Sequence, residues 1–193
     1  MDIFGILITL CVLIMVLKVI RNSRDILPAI QYIPLTLFLI IARYYEFSLN
    51  GWVRAFNISG AASLIVMVIK LIYKDSIEPL LFGVNLFFST FVLAYYIPIP
   101  RILELYSHHK GVAFMANICL ADVFTTIFSS RGFIGVSGNR IQVVYHSLLL
   151  LALASLGLLW SILSHERSIL MSAGIPFIVI KIAQLQLRRK IKK

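Results

Sequence analysis

Charged residues in this chain gather at intervals. Between the clusters run apolar stretches of roughly 20 residues, the length that carries a helix across about 30 Å of hydrocarbon at 1.5 Å per residue. Seven stretches are legible, at 3–20, 27–43, 52–73, 79–97, 112–129, 143–163 and 169–187. Inside a bilayer every backbone N–H and C=O must find a partner within the protein, so a continuous apolar run crosses as a helix. The alternation that marks a membrane barrel strand is absent from the sequence. Of the 193 residues 60% are hydrophobic and 13% charged, which leaves too little polar chain for a folded domain outside the membrane. The expected fold is therefore all-α, a polytopic transmembrane helical bundle of seven helices forming one domain over 1–193. A six-helix version stays open, because Pro28 and Pro34 fall in the second and shortest stretch and suit a re-entrant or interfacial segment.

Basic residues give the orientation. If the amino terminus is outside, the cytoplasmic segments hold Lys18, Arg21, Arg24, Lys70, Lys74, Arg131, Arg140, Arg188, Arg189, Lys190, Lys192 and Lys193. The outer segments hold Arg43, Arg54, Arg101, Lys110 and Arg167, and this asymmetry predicts an outside amino terminus and a cytoplasmic basic tail at 188–193. Tyr44, Tyr45, Trp52, Tyr95, Tyr96 and Trp160 then fall near the outer interface, where amphipathic rings are enriched. The net charge of +10 is accounted for by this bias and by contact of the tail with anionic headgroups, so no nucleic-acid partner is expected. Cys11 and Cys119 both lie in mid-stretch and build neither a disulfide framework nor a CxxC metal site.

Asp122 is the least expected residue, a carboxylate near the middle of the fifth stretch. Facing lipid it would cost a few kcal/mol even on a lenient insertion scale. Asp122, Thr125, Thr126 and Ser129 follow i, i+3, i+4, i+7 spacing and form one polar stripe on a helix. Two uses fit the stripe. One is a lining for a proton, cation or substrate path; the other is an interhelical clamp in which Asp122 binds a neighbouring helix. His146, early in the sixth stretch, is a candidate relay partner for Asp122. Lys18, Lys70 and Lys181 each lie within about two turns of the proposed cytoplasmic end, so their stems are expected to snorkel to the headgroups.

The segment YYIPIPRILELYSHHKG, 95–111, breaks the apolar pattern. Pro98 and Pro100 end the fourth stretch, and RILELY reads as a short amphipathic segment at the outer surface. Arg101, Glu104, His108 and His109 are the outer-loop candidates for chemistry, with Glu46 as a further carboxylate. Adjacent histidines cannot share a helix face, and HExxH spacing is missing, so no metal site and no cofactor are expected. The small-residue string SGAAS at 59–63 suits close helix packing.

The stretch PLLFGVNLFFSTFVLAYYIPIPRILELY, 79–106, resembles a group of small bacterial inner-membrane proteins that includes the intracellular septation protein A family and related membrane proteins of lipid-like polyene gene clusters. The likeness rests on a Pro-Leu-Leu opening, Asn85 in an apolar helix and the exit Pro100-Arg101-Ile102-Leu103-Glu104. The chain departs from those families in its number of spans and in lacking a tryptophan in the span after that exit. The resemblance implies a bacterial cytoplasmic membrane and a non-enzymatic role in envelope biogenesis or division through membrane-protein partners or a homo-oligomer, and it transfers no site residues. Two alternatives follow from the residues. One is a small-solute or proton-coupled transporter with Asp122 in the path. The other is an intramembrane lipid-modifying enzyme built on the outer-loop residues.

Overall fold

The computed structural model describes residues 29–46, 48–73, 77–164 and 170–191. The apolar stretch at 3–20, with Cys11 and Lys18, and the last two tail residues lie outside them. The described residues form seven α-helices: α1 Ile33–Tyr44, α2 Leu49–Ile72, α3 Pro79–Tyr96, α4 Pro100–His108, α5 Lys110–Phe128, α6 Arg140–Leu163 and α7 Ile175–Ile191. A 3-10 turn, Ala29–Tyr32, leads into α1, and a π turn, Leu170–Gly174, leads into α7.

Four of these helices, α2, α3, α5 and α6, are long and apolar enough to cross a membrane. Three of the four starts, those of α2, α3 and α6, carry a side-chain cap. Ser48 caps α2 by accepting the Gly51 N–H at 3.2 Å. Glu78 caps α3 by accepting the Leu81 N–H at 2.9 Å, with Pro79 supplying the preset φ of a first turn. Asn139 caps α6 through the Ile141 N–H at 3.0 Å. At the far end of α5, Arg140 donates to the Ser129 and Thr126 carbonyls at 2.6 and 2.7 Å, which supplies both partners and positive charge to a helix C-terminus.

Of the seven spanning helices expected, the described residues show four helices of spanning length, and the other three described helices are shorter. The second stretch becomes the 3-10 turn and α1, together Ala29–Tyr44, and Pro34 sits in the first turn of α1. That piece is shorter than a spanning helix. The segment 100–108, expected as an amphipathic piece outside the spans, is the helix α4 with Pro100 at its start. The last stretch divides into the π turn and the 17-residue α7.

Helices α1, α2, α3, α5, α6 and α7 pack in chain order, each against the next, and α4 lies between α3 and α5. Alternate connections therefore fall at opposite ends. One end carries Gln31, Glu78, Phe133, Arg140 and Arg188, and is called the clasp end below; the other carries Tyr45, Arg54, Tyr95, Tyr96 and α4. Aromatic rings pack together among α1, α2, α3 and α4. Phe38 of α1, Phe56 of α2, Phe87, Phe88 and Phe91 of α3 and Tyr106 of α4 stand with neighbouring ring centroids 4.5 to 6.2 Å apart. Where α2 crosses α3 the backbones meet: a Cβ at Gly60 would fall 2.6 Å from the Phe88 carbonyl oxygen and 2.5 Å from Val92 Cγ2. Only a glycine admits that approach, and the 59–63 string does serve packing.

Candidate functional site

Several polar groups interrupt the apolar interior, three of them built on α3, α4, α5 and α7. The first is the stripe on α5. Asp122 is 0% exposed, and Thr125 and Thr126 are buried beside it. Thr126 donates to Asp122 Oδ1 at 3.0 Å, and Thr125 donates to the Ala121 carbonyl at 2.7 Å. Both bonds stay within α5, so Asp122 does not clamp a neighbouring helix through them. Asp122 Oδ2 is buried and has no hydrogen-bond partner among the described residues. Ser129 leaves the stripe: it is the extended residue that ends α5, its hydroxyl accepting the Arg131 N–H at 3.2 Å. His146 Nδ1 contacts the Gln142 carbonyl oxygen of its own helix at 2.7 Å, so the hydrogen-bonded relay with Asp122 is not formed.

The second group lies at the α3–α4–α5 junction. Tyr106, 2% exposed, donates its hydroxyl hydrogen to the Phe87 carbonyl at 2.7 Å and accepts from Asn117 Nδ2 at 3.2 Å. Asn117 also donates to the Ala113 carbonyl at 2.8 Å, and Thr90 reaches Asn117 Oδ1 at 3.4 Å. These bonds tie α4 down to α3 and α5. Burial pushes the Tyr106 phenol well above the ordinary tyrosine range, against the smaller opposing pull of Asn117 and Thr90. In the sequence Tyr106 looks like one more interfacial aromatic of the 95–111 segment, and nothing local reveals its inward turn.

The third group is the clasp, which the sequence reading misses altogether. Glu78 Oε1 accepts from Lys181 Nζ at 3.0 Å and from Arg188 Nη2 at 2.8 Å. Its backbone N–H donates to Gln31 Oε1 at 2.8 Å. Gln184, 0% exposed, donates to the Phe133 carbonyl at 2.8 Å, and Arg188 Nε donates to the Ile134 carbonyl at 2.6 Å. Lys181, Gln184 and Arg188 follow i, i+3, i+7 spacing on α7, a stripe legible in the sequence once sought. The stripe joins α7 to the start of α3 and to the α5–α6 connection. Lys181 thus carries its ammonium to a carboxylate at the clasp end, reached across the bundle. Lys70, near the end of α2, is buried at 1% exposure.

Arg101, Glu104, His108 and His109 are all exposed at the end of the bundle opposite the clasp. The first three lie on α4, and His109 joins it to α5. Glu46 is exposed with φ 51° in the α1–α2 turn. Among the described residues no three His, Cys, Asp or Glu side chains stand together as metal ligands. Comparison with protein-family models, with curated proteins and with solved structures finds no match to this chain. By length and composition four helices are able to cross a membrane, the pattern of a multi-pass membrane protein.

Proposed function

We propose that this membrane protein is a non-enzymatic component of a bacterial cytoplasmic membrane that supports cell-envelope assembly or division through partner membrane proteins. The observation that carries the reading is the use of the interior polar groups to join helices. Tyr106 and Asn117 link α4 to α3 and α5; Ser63 donates to Asn85 Oδ1 at 3.4 Å between α2 and α3; Glu78 links α3 to α7. Such bonds make a rigid intramembrane body suited to presenting surfaces to other proteins. The envelope role is the one that the resemblance drawn from the 79–106 sequence implies. Arg131, Arg140, Arg188, Arg189 and Lys190 gather at the clasp end, which favours that end at the cytoplasmic face. The test is purification of the tagged full-length chain from native membranes after crosslinking. Stoichiometric envelope-synthesis or division enzymes are expected; a clean monomer together with normal cell division on deletion would overturn the proposal.

A second reading is favoured by one observation, the unpartnered Asp122 Oδ2. In a conduit that oxygen would receive a proton or cation in transit. Proton flux into liposomes carrying the protein, abolished by Asp122→Asn with the fold intact, would establish this reading; no flux in the wild type would remove it.

A further inference from the structure

At the clasp two cations share one carboxylate. Glu78 Oε1 receives both Lys181 Nζ and Arg188 Nη2, while Oε2 is taken by the Leu81 N–H. The remaining bonds of the two cations go to neutral groups, Gln184 Oε1 at 3.5 Å and the Ile134 carbonyl at 2.6 Å. Among the described residues the trio therefore carries one positive charge beyond the one that Glu78 balances. The side chains of Lys181, Arg188 and Glu78 are 29%, 20% and 19% exposed, enclosed enough that bulk water screens them poorly yet open on one side. The other described charges at that end are all positive: Arg131, Arg140, Arg189 and Lys190 are exposed, and Lys70 is buried. Gly135, at φ +75°, brings its backbone against the guanidinium: a Cβ there would fall 2.6 Å from Arg188 Nη2. A lysine offers three N–H donors and an arginine five, so both cations keep donors beyond the bonds described.

Glu78 immediately precedes the spanning helix α3, which places the trio at the edge of the hydrocarbon, where lipid phosphates lie. We propose that Lys181 and Arg188 form a binding site for the phosphate of an anionic phospholipid, with Glu78 acting as a built-in competitor for the same donors. Basic recesses between spanning helices suit such headgroups, and the spare positive charge supplies the attraction. This inference rests on the membrane reading.

The test uses the full chain in bilayer nanodiscs of phosphatidylcholine, alone or with half replaced by phosphatidylglycerol, read by thermal unfolding. Phosphatidylglycerol is expected to raise Tm by about 2–4 °C in the wild type. The rise should be larger in Glu78→Gln, where the competitor is gone, and absent in Lys181→Gln. Arg189→Gln/Lys190→Gln, which alters only exposed tail charge, should keep the wild-type rise. Equal rises in all variants, or a rise lost in the tail variant and kept in Lys181→Gln, would overturn the site. Inorganic phosphate in phosphatidylcholine discs should leave Tm unchanged; a matching rise would overturn the lipid as the source. Should Glu78→Gln fail to fold, native mass spectrometry of wild type and Lys181→Gln decides, with retained phosphatidylglycerol expected on the wild type alone and equal retention contradicting the site. Release of the chain from membranes by alkaline carbonate would instead defeat the membrane reading itself.

Discussion

Asp122 and Thr126 lie one turn apart on α5 and close a 3.0 Å hydrogen bond within that helix, which leaves Asp122 Oδ2 buried and unmatched. The carboxyl group therefore sits in the interior without joining α5 to a neighbour through a hydrogen bond. An unmet buried polar group costs about 1–3 kcal/mol. Asp122→Leu, close in shape and wholly apolar, should stabilise the protein by about 1–2 kcal/mol, since Thr126 can turn its hydroxyl to the carbonyl four residues back. Thermal unfolding in detergent checks this, and a loss of several degrees would show that Asp122 does hold helices together.

Tyr106→Phe should have the opposite sign. The ring still fills its place against Phe87 and Phe91, but the Phe87 carbonyl loses its side-chain donor and Asn117 Nδ2 loses an acceptor. A destabilisation of about 1–3 kcal/mol is expected by denaturant titration. No change would mean that α4 is held by its apolar contacts alone.

The same phenol sets an alkaline limit. Its pKa in the folded protein is raised by burial, while in the unfolded chain it is about 10. Below pH 10 both states keep the proton and the stabilisation is complete. Above it the unfolded chain ionises first, so stability falls as pH rises toward the folded pKa, by up to about 1.4 kcal/mol per pH unit. Wild-type stability measured from pH 8 to 11 should bend downward near pH 10, and Tyr106→Phe should lack that component of the bend.

Gly60→Val places a branched side chain where even a Cβ meets the Phe88 carbonyl oxygen at 2.6 Å. Helices α2 and α3 must separate, which should cost about 1–3 kcal/mol or more. A Tm equal to the wild type would contradict the close crossing.

The helices were the legible part of the molecule because hydropathy marks them continuously. The stretch at 79–97 corresponds to α3 at Pro79–Tyr96, and 143–163 to α6 at Arg140–Leu163. Pro98 and Pro100 correctly mark the break before α4. Polar placement was less legible, because it depends on residues far apart in the chain. Glu78 reads locally as a boundary charge, and its partners lie 103 and 110 positions away. Asp122, Thr125 and Thr126 share a buried face of α5, while Ser129 lies where the helix has ended. Periodicity holds only as far as the helix does, and Arg140, drawn from the next helix, helps set that limit.

The central claim is that the long apolar helices traverse a bilayer, so that successive connections emerge on opposite sides. With Cys11 and Cys119 replaced, single cysteines at Ser107 on α4 and at Ser137 between α5 and α6, both exposed, test it directly. In sealed right-side-out vesicles an impermeant maleimide should label Ser107→Cys at once and Ser137→Cys only after the membrane is opened. Labelling of both from one side would show that α5 does not cross, and would contradict the account.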